Sequence, residues 1–116
     1  NFLMDLVSVQ SKIKANQYLS ETVVQLEKDF LMIGVNFDIQ KPVADYKTLF
    51  AYTYNLVNAI NERNPQFILN LLYRIDLQEE KVQEEMQQTK LSFSQMLSEL
   101  IVKRELYKVV LREKFS

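Results

Sequence analysis

The stretch Asn64-Pro65-Gln66-Phe67-Ile68-Leu69-Asn70-Leu71-Leu72-Tyr73-Arg74-Ile75-Asp76 decides the fold class. Asn caps helices well, and Pro at the first helical position gives up no intrahelical hydrogen bond. Behind that start, Ile68, Leu71, Leu72 and Ile75 fall at i, i+3, i+4 and i+7, which is one face of a helix, with Phe67 and Leu69 to either side. A helix this apolar belongs deep in a core made of other helices, and we expect it to be the most buried element.

Upstream, Asp45 reads as an N-cap for a helix whose inner face is Tyr46, Leu49, Phe50, Thr53, Leu56, Val57 and Ile60, with Tyr52 and Tyr54 on its flanks. The segment from Val35 to Ala44, holding Asn36, Asp38 and Pro42, is the candidate for a longer loop. Before it, Leu19, Val23, Leu26, Phe30 and Ile33 form a second helical stripe. Gly34, the only glycine in the chain, stands where a helix can end in the left-handed conformation. Phe2, Leu6, Val9 and Ile13 form another stripe, rotated by roughly 90° from the next at 100° per residue. The offset predicts a helix over Asn1 to Lys14, a break near Asn16 and Gln17, and a restart capped by Ser20.

Downstream, positions 78–90 turn polar. Only Val82 and Met86 are apolar there, among Glu79, Glu80, Glu84 and Glu85, and the pattern leaves helix or loop open. Phe93, Met96, Leu97, Leu100, Tyr107, Leu111 and Phe115 then restore an apolar stripe. A single helix from Gln78 to Glu113 would be ~54 Å long, against ~35 Å for a globule of this size, so a break is expected. Ser92 and Gln95 supply a capping box for the restart, with Thr89 as a competing cap.

The 116 residues suffice for one domain with one core. With 47% hydrophobic and 25% charged residues and a net charge of −1, the composition is that of an ordinary globular protein. It offers no electrostatic reason to bind nucleic acid or an anionic membrane. The longest apolar run, Phe30 to Val35, is far too short to span a bilayer. The fold expected is a single all-α domain over 1–116, a compact and mostly antiparallel bundle of five or six helices. The absence of cysteine favours a cytoplasmic, reducing setting. Because the chain starts at Asn1, a processed or longer N-terminus stays open.

The chain has no histidine and no cysteine, so it offers no imidazole base, no thiolate nucleophile, and no nitrogen or sulfur ligand for zinc, haem or iron–sulfur clusters. The acidic run holds no EF-hand spacing, and di-iron bundles need a Glu-x-x-His motif. No metal, cofactor or catalytic residue is therefore assigned. Charge is uneven: Asn1 to Asn64 carries six basic and seven acidic residues, Pro65 to Lys90 three and five, and Leu91 to Ser116 five and three. Arg104, Lys108 and Arg112 recur every four residues in that basic tail, but Glu99, Glu105 and Glu113 dilute them, which reads as a paired or solvated face.

Arg104 falls near the centre of the terminal apolar stripe, so it needs a carboxylate partner or must snorkel to the rim. Asp76 is the expected partner, which makes Arg104 and Asp76 a structural ion pair or, in the alternative, Arg104 or Arg74 an anchor for an anionic ligand. Six tyrosines without a tryptophan suggest exposed aromatic surface, and Tyr52, Tyr54 and Tyr73 are the candidate interface.

Leu72-Tyr73-Arg74-Ile75-Asp76-Leu77 and Ile101-Val102-Lys103-Arg104-Glu105-Leu106-Tyr107-Lys108-Val109-Val110-Leu111-Arg112 resemble segments of small uncharacterised all-helical bacterial proteins. In those, a Tyr-Arg-Ile-Asp stretch precedes a terminal Lys-Arg-Glu helix. The resemblance covers under half of the chain, implies a helical fold without a known activity, and singles out Arg74, Asp76, Arg104 and Glu105. The leading functional expectation is a non-enzymatic interaction or scaffold module, as a homodimer through a helix face or with a protein partner. The alternatives are a small-ligand or regulatory domain with an arginine anion anchor and, third, an enzyme without a recognisable motif.

Overall fold

A computed structural model describes residues 2–115, with side chains from Ser11 onward. It contains five helices and, among the described residues, no strand: α1 Phe2–Met32, α2 Tyr46–Arg63, α3 Pro65–Ile75, α4 Glu79–Gln88 and α5 Phe93–Phe115. The all-α bundle read from the sequence is the fold, with five helices.

The helix ends follow their local chemistry. Gly34, at φ 84°, closes α1: the Val35 amide donates to the Phe30 carbonyl and the Gly34 amide to that of Leu31, the left-handed termination that glycine adopts at little cost. Asp76 ends α3 in the same way at φ 60°, with the Leu77 amide on the Leu72 carbonyl. The Asp45 carboxylate caps α2 by accepting from the Thr48 amide at 2.8 Å and its hydroxyl at 2.7 Å. Ser92 and Gln95 form a reciprocal capping box ahead of α5, each accepting from the other's backbone N–H. Thr89 instead follows α4, its hydroxyl accepting from the Leu91 amide.

Three expectations need correction, and one open reading is decided. No break occurs at Asn16 and Gln17, and Ser20 caps nothing, because both lie inside the continuous 31-residue α1. The helix runs through the change of stripe because extending a formed helix is cheaper than ending it and nucleating another; among the described residues the core begins at Leu19. The polar run at 78–90, open between helix and loop in the sequence, contains a helix, α4, which buries Val82. Asn64 makes no side-chain cap bond. Its backbone N–H closes α2 on Ile60 and its carbonyl accepts from Phe67 in α3.

The third correction concerns the centre. α3 buries Ile68, Leu71, Leu72 and Ile75 as expected, but α5 is the helix that packs against every other one. Its inner face is Ser94, Met96, Leu97, Ser98, Ile101, Val102, Glu105 and Val109, so Tyr107 and Phe115 of the expected stripe are exposed. Small hydroxyl side chains take core positions because their polarity is satisfied locally. Ser98 donates to the Ser94 carbonyl at 2.6 Å, and Ser94 to the Asn58 amide oxygen at 3.0 Å. Thr22 and Thr53 enter the core by the same device, each bonding a carbonyl one turn back.

The loop between α1 and α2 is pinned by its own apolar residues. Phe37 is buried with its ring 5.1 Å from Phe30 and 4.8 Å, edge-on, from Tyr52. The Asp38 amide donates to the Tyr52 hydroxyl at 2.7 Å. α1 and α5 run antiparallel, since Asp29 faces Glu105 while Gln25, one turn earlier, bonds Arg112 two turns later.

Candidate functional site

A cluster of charged side chains is enclosed where α1, α3 and α5 meet. On α1, Asp29 lies one residue before Phe30 on the flank of the packed stripe and is 3% exposed. Its Oδ1 accepts from Arg74 Nε of α3 at 3.1 Å, and its Oδ2 from Gln25 Nε2 at 3.0 Å. On α5, Glu105 stands one turn after Ile101 and one turn before Val109, which places it on the inner face with 0% exposure. Neither Glu105 carboxyl oxygen receives a hydrogen bond from an N–H group or hydroxyl. The Lys108 ammonium stands 3.4 Å from Oε1, off hydrogen-bonding geometry, and the Asp29 carboxylate lies within hydrogen-bonding reach.

Two facing carboxylates cannot bond while both are ionised. One proton between them turns the contact into a hydrogen bond. Burial, then the hydrogen bond with Asp29 and the charge of that group, push Glu105 up to about 8, with Lys108 opposing part of that rise. Asp29 is displaced the other way. Burial alone would raise it, but the hydrogen bonds from Glu105, Gln25 and Arg74, with the charge of Lys108, together hold it below its ordinary value. The proton therefore resides on Glu105, which donates to Asp29 at neutral pH.

Comparison of this chain with known protein families, curated proteins and solved structures found no match. Its chemistry has to be argued from its own residues.

The residues singled out by sequence are distributed differently than expected. Arg74, read as a candidate anion anchor, pairs with Asp29. Arg104 does reach Asp76, at 3.5 Å, but at the rim, where the Asp76 side chain is 83% exposed. The hydrogen bond of Arg104 goes instead from Nε to the Ile75 carbonyl at 3.0 Å, because the end of α3 presents a carbonyl that the helix itself leaves unused. The expected pairing of Arg104 with Asp76 is therefore present, but at the rim, and the buried ionisable group of α5 is its neighbour Glu105. Arg104, Lys108 and Arg112 are all engaged within the chain, with Ile75 and Asp76, Glu105, and Gln25 respectively.

Of the three candidate interface tyrosines, Tyr52 is structural, holding the loop through Phe37 and Asp38. Tyr54 is half-buried beside Leu91. Tyr73 is 80% exposed, one turn from the partly exposed Leu69. Sequence reasoning missed Asp29, Gln25 and Lys108 as partners. The available signal was Asp29 lying three residues after Leu26 and next to Phe30, on the flank of the stripe.

The carboxyl pair does not open onto the adjacent surface. The groove between α1 and α5 is lined by Val24, Gln25, Lys28, Val109 and Arg112 with flanking glutamates, not by Asp29 or Glu105. Among the described residues, no three acidic side chains gather in a way that could hold a metal ion, and no helix is long and apolar enough to cross a membrane.

Proposed function

We propose that this protein is a non-enzymatic interaction module that pairs with a second copy of itself through the exposed surface of α1 around Ile13. One observation carries the reading: from Ser11 to Gln17 every residue except Lys14 is exposed, Ile13 at 61%, although the helix is continuous there. α1 runs back from Gln25 to Phe2, whereas α5 stops one turn past Arg112. Lys14 pairs with Glu113 near the end of α5, so the stretch around Ile13 lies at the edge of the surface that α5 covers. At 1.5 Å per residue its 31 residues span about 46 Å, close to the 52 Å long dimension of the molecule.

An exposed, extended helix with Ile13 at its surface is most cheaply covered by another helix with the same stripe, and a two-fold pairing makes one patch complementary to itself. Ile13 continues the sequence stripe of Phe2, Leu6 and Val9, whose side chains lie outside the described residues. The engagement of Arg74 and Arg104 in contacts within the chain supports this reading over an anion anchor. Sedimentation equilibrium at tens of micromolar tests it. A dimer that Ile13→Asp converts to monomer is expected, and a monomeric wild type would overturn the reading.

A further inference from the structure

We propose that Asp29 and Glu105 form a proton-operated clasp between α1 and α5, closed while the pair holds one proton and weakened when that proton leaves. The geometry carries the inference. Glu105 is fully enclosed, both of its oxygens lack a donor, and the group it meets is another buried carboxyl that already accepts one bond on each oxygen. With the proton present, Glu105 O–H donates to Asp29, and the bond ties the last turn of α1 to the middle of α5. Without it, two negative charges share an enclosed seam, and like charges so placed repel strongly where water cannot screen them.

The surrounding charges do not remove that conflict. α1 contributes Asp29, α3 contributes Arg74, whose bond goes to Asp29 Oδ1, and α5 contributes Lys108 beside Glu105. α2 and α4 bring no charged group that acts on Glu105. Arg74 and Lys108 are each partly exposed, so solvent weakens their compensation for a second buried charge. The device is internal to the bundle and does not depend on self-association.

Two measurements on the full chain test the clasp. In protein labelled with carboxyl-13C glutamate, the Glu105 resonance, identified by its loss in Glu105→Gln, should remain protonated at about pH 6 and titrate above the ordinary carboxylate range. Between about pH 6 and pH 9, amide exchange corrected for its intrinsic pH dependence should show protection lost first and furthest at 19–32 and 101–109, ahead of α2. Glu105→Gln, which keeps a donor facing Asp29, should abolish that loss. A Glu105 signal already ionised at about pH 6 would overturn the proposal, as would equal loss of protection in α2 or the same loss in Glu105→Gln. Should Glu105→Gln fail to fold, the resonance can be assigned through its neighbours, and the wild-type titration and exchange pattern still decide.

Discussion

Replacing Arg104 with alanine separates a charge at the bundle rim from one in its interior. Three contacts are lost: the Nε bond to the Ile75 carbonyl at 3.0 Å, the Asp76 contact at 3.5 Å, and the approach of the guanidinium to the Tyr107 ring at 5.9 Å. The carbonyl bond has a charged donor but sits at a helix end that water can reach, so it contributes about 1 kcal/mol. The Asp76 contact is long and its carboxylate is solvated, which limits it to about 0.5 kcal/mol. The ring contact adds about 0.5 kcal/mol. Arg104→Ala should therefore cost about 2 kcal/mol, less than the 3 to 5 kcal/mol typical of breaking a buried pair. Urea denaturation of Arg104→Ala, Asp76→Asn and the double variant isolates the pair energy, and Asn suits the left-handed φ of residue 76. The expected coupling is below about 0.5 kcal/mol. A coupling above about 2 kcal/mol would refute the assignment of this pair to the rim.

Stability should fall as pH rises through the neutral range. The proton that Glu105 binds in the fold is absent from the unfolded chain, so its stabilisation is complete below about 4.5 and lost as pH approaches about 8. Asp29 acts oppositely, losing its contribution only as pH falls below its unfolded value of 3.8. Urea unfolding should show a slope of up to about −1.4 kcal/mol per pH unit between these limits, flattened in Glu105→Gln; a rising slope would contradict the location of the proton. Leu97→Ala, at a fully buried site of α5, should cost about 2 to 5 kcal/mol, while exposed Gln87→Ala on α4 stays within about 0.5. Equal midpoints would place the core elsewhere. Tyr52→Phe removes the acceptor of the Asp38 amide and should cost about 1 kcal/mol. Faster proteolysis of the loop between α1 and α2 would accompany it, and an unchanged midpoint would show that the hydroxyl does not pin the loop.

The sequence by itself determined the helical class and most helix ends. Those depend on interactions within a few residues: the reach of Asp45 to Thr48, the box of Ser92 and Gln95, and the left-handed turn at Gly34. Periodicity also identified the packed faces of α2, α3 and the second half of α1, where burial and hydrophobicity coincide. It failed on α5, whose inner face mixes apolar residues with Ser94, Ser98 and Glu105. A hydrophobic count therefore rotated that face toward Tyr107 and Phe115. The break expected near Asn16 was wrong for a related reason: a stripe read along the chain carries no information on whether anything lies opposite it.

Only the tertiary structure decided which charges meet. Arg74 lies two residues from Asp76, yet its partner Asp29 is 45 residues away. Glu105, flanked in sequence by Arg104, instead faces Asp29 across the seam of α1 and α5. Helical phase shows which way a side chain leaves its own helix, but the partner depends on the crossing and register of two helices. Those are set by packing of the whole core, in which no local segment carries enough of the free energy to dictate the outcome.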